Sequence, residues 1–570
     1  MIFASGPLGG LSVAGGGTYS VVTKGPLTNG AATCQANGFF GAYMRLSGLD
    51  GIIIQGASPE WVYLHVHDGK VEIRDASPYV GLDTWQMQDA VTAALGKTPA
   101  QVSVVGIGPA GENLVKFACV AGDKGHVAGH NGTGAVMGAK KLKMIVAERG
   151  KARIPLADSR KVASTGKAMI EFIRTDPGSY RFEWGTSMGY AGGERAGWLP
   201  VKNYQTNIFP PATAFMGENY RPKWKIERHA CWACPMKHIH MIEITDGPYQ
   251  GFVGEEPEYE QWAAWGSLIE NPDPAGALVL SNVTDRLGME NNELGWVVAF
   301  AMECYQRGIL TSQDFGGLTL EWGSVDTARQ LVDMIAHRRG IGDVLAEGVM
   351  RASARLAASG KSEAALSIGV FTMKGNSPRG HDHRRNWGEM FDTITSSTGT
   401  LETGPVVSHD PPPAPNTSPF NPDEIVARTA NYKGRMLFED CLGMCRLCIW
   451  VPLTQVLEAV NGATGWDMTY QEAFDVGRRI AQLLKVFNLR HGVSPEMDRP
   501  SPRYGSTPVD GPAKGVSILP HLDNMLRDYY SLMGWDPKTG KPTPETLRRY
   551  GLDFAIEGLY PNLEAPLPLG

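Results

Sequence analysis

The sequence predicts an α+β protein, with a β-rich amino-terminal domain followed by two mainly α-helical domains. Residues 1–150 are rich in glycine and in short β-branched runs, whereas beyond Pro155 apolar residues recur at three- and four-residue spacing. The helical part also carries two cysteine clusters, one before and one after a junction near residue 372, which divides it into residues 155–372 and 373–570.

In the first domain, Thr18-Tyr-Ser-Val-Val-Thr23, Gly51-Ile-Ile-Ile-Gln55, Val102-Ser-Val-Val105 and Met144-Ile-Val146 read as strands. A hairpin is written into residues 61–74, where Asp68-Gly69 supplies the positive φ angles of a primed turn between two alternating runs. Helices are predicted over Glu293 to Arg307, Val325 to His337, Asp343 to Ala358, Glu424 to Phe438 and Tyr470 to Phe487. Between them, residues 375–403 and the proline-rich stretch Asp410 to Pro415 are too long for plain connectors, which points to functional loops.

Composition narrows the function. The chain has 570 residues, 42% hydrophobic and 20% charged, enough to build a core in each of about three or four domains at ~150 residues each. A net charge of −6 without any basic run argues against nucleic acid or an anionic membrane as partner and favours a small molecule or small electron carrier. No segment reaches the ~20 apolar residues of a membrane span, and Met1-Ile-Phe-Ala-Ser-Gly-Pro-Leu8 does not resemble an export leader, so a cytoplasmic location is expected. Reducing cytosol favours metal or redox roles for cysteine over disulfides.

Five of the eight cysteines lie in Cys231-Trp-Ala-Cys234 and Cys441-Leu-Gly-Met-Cys445-Arg-Leu-Cys448. Thiols spaced in this way and joined across a fold suit an iron–sulfur cluster or zinc, the ordinary alternative being buried structural cysteine. Two short segments also match one another, Asp285-Arg-Leu-Gly288-Met-Glu290 and Asp440-Cys-Leu-Gly443-Met444-Cys445. In each, a carboxylate can accept hydrogen bonds from a heterocycle while glycine lets backbone approach it, so the pair suggests two matching halves of one cofactor. Read plainly, both are also helix ends with a glycine stop. By contrast, Gly106-Ile-Gly108-Pro-Ala-Gly111 fits a dinucleotide-binding loop poorly, because Pro109 interrupts it and no alternating β and α units surround it. The turn from Gly129 to Gly138 lacks the lysine of a P-loop, although both turns could bring amides to the phosphates of a large cofactor.

Taken in order, Phe3-Ala-Ser-Gly-Pro-Leu8, Val21-Val-Thr-Lys-Gly-Pro-Leu27, Gly38-Phe-Phe-Gly41, residues 107–117, Gly134-Ala-Val-Met-Gly138, Cys231-x-x-Cys234-Pro, Pro257-Glu-Tyr-Glu260, residues 342–348, Pro378-Arg-Gly380 and the two Asp-x-x-Gly segments resemble the aldehyde:ferredoxin oxidoreductase family of tungsten enzymes. The resemblance covers nearly the whole chain, with a start that reads as shortened. It implies a β-rich base for a tungsten or molybdenum bis-pyranopterin, helical domains closing over it, and one [4Fe-4S] cluster passing electrons to ferredoxin. Magnesium is a candidate bridge between the pterin phosphates. Carried over by position, Cys231, Cys234 and Cys445 are cluster ligands. Asp285, Gly288, Glu290, Asp440, Gly443 and Met444 face the pterins, with Gln35 and Asn131 beside them, and Glu260 lies near the substrate.

The chain departs from the family at several of these points. The third cysteine of the first cluster motif is His238, so the fourth ligand is His238, or Cys448, or absent. Thr18 and His130-Asn131 stand where basic contacts to the phosphates are expected, and Val279 and Asn282 replace a Glu-x-x-His that can share iron between subunits. In the substrate loop Glu402 aligns with a histidine, while His381-Asp-His383-Arg384-Arg385 is inserted, which makes Glu402, His381 and His383 candidate proton donors. The leading expectation is oxidation of a small aldehyde to a carboxylic acid with Glu260 as base. The alternatives are a subunit like the tungsten benzoyl-CoA reductases, with Cys304, Cys34 or His383 near the metal, and an electron-transfer relative without tungsten. A homodimer or partner subunits fit each of these readings, whereas nucleic acid and membrane insertion fit none.

Overall fold

The computed structural model describes residues 1–175, 183–403, 418–449 and 451–561; the proline-rich stretch Asp410 to Pro415 lies outside them. The amino-terminal region builds two sheets. Strands β1 (Ile2–Ala4), β2 (Tyr19–Lys24), β3 (Ala31–Ala36) and β4 (Gly51–Ile53) pair antiparallel in the order β3-β2-β1-β4. The second sheet contains β5 (Val62–His67), β6 (Lys70–Asp75), β7 (Val102–Gly106), β8 (Val120–Gly122), β9 (His126–Ala128) and β10 (Leu142–Glu148), ordered β6-β5-β10-β7-β8-β9. Only β5 and β10 run parallel in it. The expected hairpin is β5–β6, with φ of 47° at Asp68 and 74° at Gly69 as a primed turn requires.

The glycine-rich loop after β7 leads into one helical turn, Pro109–Glu112, and then into β8, so it opens no dinucleotide-binding unit. Its Gly108 serves packing instead, since a Cβ there would sit 2.5 Å from the Leu287 carbonyl oxygen.

The helices follow the predicted periodicity with two corrections. Asn291–Gln306, Val325–Ala336 and Tyr470–Arg490 match their expected segments closely. The single helix predicted from Asp343 to Ala358 is two, Ile341–Leu345 and Val349–Ala358, because Gly348 takes φ 84° between them. That predicted from Glu424 to Phe438 likewise breaks at Gly434, φ 93°, into Pro422–Tyr432 and Arg435–Asp440. Among the described residues, no helix is long and apolar enough to cross a membrane.

Burial links the helical regions more than the sequence division does. One hydrophobic cluster joins Leu331 and Ala352 to Trp387, Ile425, Tyr504 and Tyr529, and so runs through the 372/373 junction. A second joins Leu8 and Val13 of the base to Val162, Met169, Met444, Val456 and Val460, so helix Ser159–Thr175 packs with the carboxyl-terminal part. Helix Asn291–Gln306 is buried on all sides through Cys304, as expected of a helix apolar around its circumference.

The helices meet the base at two matching contacts. Gly288, φ 79°, ends helix Pro274–Leu287 against Gly108, and Gly443, φ 72°, follows helix Arg435–Asp440 against Gly6. A Cβ would lie 2.6 Å from the Gly108 nitrogen in the first case and 2.5 Å from the Gly6 nitrogen in the second. Gly288→Ala and Gly443→Ala should each cost about 2 kcal/mol or more, since a left-handed backbone alone costs L-residues roughly 1–2 kcal/mol. Thermal unfolding tests this, and an unchanged midpoint in either variant would show that the backbones can separate freely.

Candidate active site and thiol cluster

The two Asp-x-x-Gly segments dock with parallel hydrogen bonds. The Glu290 amide donates to the Phe117 carbonyl at 3.0 Å, and the Cys445 amide, at the equivalent position, donates to the Gly15 carbonyl at 2.9 Å. Between them lie two hollows whose walls share Cys34, Gln35, His130 and Glu290: one of about 270 Å³ reached by Asp285 and Glu255, and one of about 420 Å³ reached by Glu260, Arg379, Asp440 and Cys445. Of the residues expected at the cofactor, Gln35, Asp285, Glu290 and Asp440 therefore line a common space. Gln35 is held by an Nε2 hydrogen bond to the Asp440 carbonyl at 2.8 Å.

The carboxylates of these walls are buried. Asp285 accepts from Asn291 Nδ2 at 2.7 Å and from Gln261 Nε2 at 3.0 Å, while burial and then the nearby Glu290 carboxylate raise its pKa. Burial also raises Asp440, against the pull of its ion-pair partner Arg446. Glu255 is pushed up to about 8, mainly by burial, and its Oε1 has no hydrogen-bond partner. Glu290 is committed differently, with both oxygens accepting from the Asn292 and Glu293 amides and so capping its own helix. A wall of this kind suits a guest rich in N–H donors, as a pterin edge is, and the orphaned Glu255 oxygen is an acceptor of the type such a guest satisfies.

Two expected cofactor residues play other parts. Asn131 spends its side chain on Thr28 and on the Ala31 carbonyl, holding the turn between β2 and β3, and it is His130 that lines the hollows. Met444 is fully buried in the second hydrophobic cluster, so its side chain packs beneath the site. Cys304 is likewise a core residue. Cys34 lines both hollows, its thiol directed at the carbonyls of Gly129 and His130 and raised in pKa by burial.

The thiols gather at one end of this space. Cys234, Cys445 and Cys448 shift one another's thiol pKa, and the Cys448 Sγ lies 3.6 Å from the Met236 sulfur. Cys231 lies at the same end, its Sγ 3.5 Å from His126 Nε2, and it feels the charges of Cys234 and Cys445. Glycine makes the room, because a Cβ on Gly15 would fall 2.6 Å from the Cys445 Cβ and 3.1 Å from the Cys448 sulfur. His238, the residue at the family's third cysteine position, is buried with Nε2 2.9 Å from Glu258 Oε1. Burial works against its charge, but Glu258 and the neighbouring thiols push its pKa up to about 9. Cys441 lies apart from this group, exposed, its thiol on the Leu437 carbonyl.

Of the candidate catalytic residues, Glu260 faces the larger hollow in an ion pair with Arg379. Burial works against its charge, yet Arg379 and then His381 hold the carboxyl below the usual carboxylate range. Glu402 does not reach the hollow. It is 1% exposed, takes hydrogen bonds from the amides of Ser397 and Thr398 at 2.8 and 3.0 Å, and lies 3.1 Å from the buried Lys433 Nζ, so its side chain is engaged in holding the loop together. His381 and His383 converge on Glu389 behind Glu260 and line neither hollow. Glu255, Glu258 and His126 also belong to the site, and the only sequence signal for them was the acidic run Glu255-Glu256-Pro257-Glu258 just before Glu260.

Comparison with known proteins bears on this arrangement. The family model described as the aldehyde ferredoxin oxidoreductase N-terminal domain matches residues 1–149, and that for domains 2 and 3 matches residues 164–552. The tungsten-containing aldehyde ferredoxin oxidoreductase of Pyrococcus furiosus is 32% identical over 566 residues, 97% of this chain and 90% of the relative. That of Thermococcus kodakarensis is also 32% identical, over 94% of this chain and 87% of the relative. The WOR-like subunit of the aliphatic sulfonate oxidoreductase of Pyrococcus furiosus is 28% identical, over 97% and 88%. In fold, the chain resembles the solved active-site complex BamBC of benzoyl coenzyme A reductase, with a TM-score of 0.83 at 22% identity over 99% of this chain and 91% of that one. The tungsten-containing relatives imply a tungsten-pterin cofactor, and the chain belongs to the aldehyde ferredoxin oxidoreductase family.

Proposed function

We propose that this protein oxidises an aldehyde to a carboxylic acid and passes the two electrons, one at a time, through a [4Fe-4S] cluster to a ferredoxin-type carrier. The observation that carries the reading is the Glu260–Arg379 pair, which faces the same hollow as Asp440 and Cys445. Asp285, Asp440, Gln35 and Glu290 would hold the tungsten-pterin, with Gly288 and Gly443 letting the chain approach it. When bound, that group supplies a two-electron redox centre. Aldehyde and water give acid, two electrons and two protons. Glu260, kept ionised by Arg379, serves as the base that takes a proton from the attacking water, and Arg379 orients it. Analysis of metals in anaerobically purified protein, followed by an aldehyde panel with a low-potential dye, tests the reading. One tungsten or molybdenum and about four irons per chain with aldehyde-dependent dye reduction are expected. Iron without either metal from supplemented medium, and no turnover, would refute it.

For the cluster we infer the ligand set Cys231, Cys234, Cys445 and Cys448. The placement of Cys448 Sγ beside Cys445 at Gly15, and the engagement of His238 by Glu258, support Cys448 over His238. Two Cys-x-x-Cys pairs then meet across the fold, and His238 acts from outside the ligand set. Cys448→Ser should lose most of the reduced-cluster electron paramagnetic resonance signal and a large share of the iron, whereas His238→Gln should retain four irons. The reverse pattern would return His238 to the ligand set.

The role of Glu260 gives a pH prediction of definite sign. Arg379 lowers the carboxyl pKa against the effect of burial, so Arg379→Gln leaves burial dominant and raises it. The acid limb of the kcat/KM profile should therefore move to higher pH in Arg379→Gln, with Arg379→Lys moving it less. An acid limb unmoved in both variants would remove Glu260 as the titrating base.

A further inference from the structure

Behind the hollow, three side chains that the proposed chemistry does not use come together. His381 Nδ1 lies 2.6 Å from Glu389 Oε2, and His383 Nε2 lies 3.1 Å from the same oxygen. One ligand atom from each residue falls within 4.8 Å of the other two. We propose that His381, His383 and Glu389 form a binding site for a divalent transition metal, with zinc the best match, distinct from the pterin and the thiols.

The geometry around the three favours a metal over a simple hydrogen-bonded triad. His383 is fully buried, and its Nδ1 is 2.6 Å from the Tyr504 hydroxyl. With that N–H directed to Tyr504, the ring presents an Nε2 lone pair to a carboxylate oxygen. Despite the short separation, Nε2 has no partner in hydrogen-bonding geometry. Two lone pairs aimed at one small space are balanced by a cation between them. Fixing one imidazole nitrogen by an oxygen partner while the other binds is also how metal-ligating histidines are commonly oriented.

The other two donors are fixed as firmly. The His381 ring stacks on Trp198, with centroids 5.4 Å apart and planes 18° apart, and packs against Tyr259 on another side. Glu389 sits in the first turn of helix Trp387–Thr395, which Asn386 caps. The neighbouring acids are otherwise engaged, Asp382 by Arg384 and Asn207, Asp392 by Lys433 and Thr403. Arg379, the nearby cation, is paired with Glu260. Two imidazoles and a carboxylate, without thiolate, suit Zn²⁺ over Mg²⁺ or Ca²⁺, and three protein donors leave a fourth position for water. An ion here would tie the inserted loop to the helix behind it, two residues from Arg379.

Zinc in the anaerobically purified holoenzyme tests the proposal, and because tungsten and iron are counted separately its failure leaves the aldehyde reading untouched. About one zinc per chain is expected, with a zinc K-edge spectrum showing a nitrogen and oxygen shell with imidazole scattering. His383→Gln and Glu389→Gln should each reduce zinc at least tenfold while keeping tungsten and iron. Zinc below about one-tenth per chain after dialysis against micromolar Zn²⁺, a sulfur shell, or zinc undiminished in folded variants would each overturn it. The spectrum on unaltered protein decides the matter if the variants fail to fold.

Discussion

Everything in this structure depends on two backbone-to-backbone contacts without side chains between them, Gly288 on Gly108 and Gly443 on Gly6. At each, a helical segment ends, reverses through a left-handed glycine and presses its main chain on a glycine-proline turn of the base. The amide five positions after the aspartate, Glu290 or Cys445, then donates to a base carbonyl. Because no Cβ intervenes, the two aspartates stand at fixed distances from the sheets and face the same interior space. Had either glycine been alanine, that space would be set by side-chain volume instead of by peptide geometry.

Around that frame the protein buries more charge than a passive core would. Carboxylates with raised pKa, Asp285, Glu255 and Asp440, line the walls, and each gains from a guest that donates hydrogen bonds. Elsewhere charges are satisfied internally, as in the buried cluster of Lys433, Asp392 and Glu402 and that of Lys374, Lys485 and Asp498. These fix the loop over the hollow in place. The difference between the two groups is the physical distinction between groups arranged for a guest and groups arranged for the fold.

Much of this was legible in the sequence, and the reasons for the remainder are specific. Asp68-Gly69 announced its hairpin because positive φ restricts residue choice, and the duplicated Asp-x-x-Gly segments announced two glycine-stopped helix ends for the same reason. Periodicity, however, continues across a glycine, so the breaks at Gly348 and Gly434 were invisible. Position along the chain says nothing of where a side chain points. Glu402 is turned from the hollow by Lys433, and Asn131 is claimed by Thr28, both far from them in sequence. The engagement of His238 by Glu258 was hidden for the same reason, since no cysteine spacing includes Glu258.

The thiols also bear on how the chain matures. Cys231 and Cys234 come from one side of the helical region and Cys445 and Cys448 from the other, so no short length of the newly made chain contains the set. Bringing such distant segments together costs the unfolded chain about 5 kcal/mol of loop entropy. A cluster that joins them returns its binding energy as folding energy. Under the proposed ligand set, iron loading and the joining of these distant segments would be linked thermodynamically, in addition to the apolar packing that already unites the helical regions and the base.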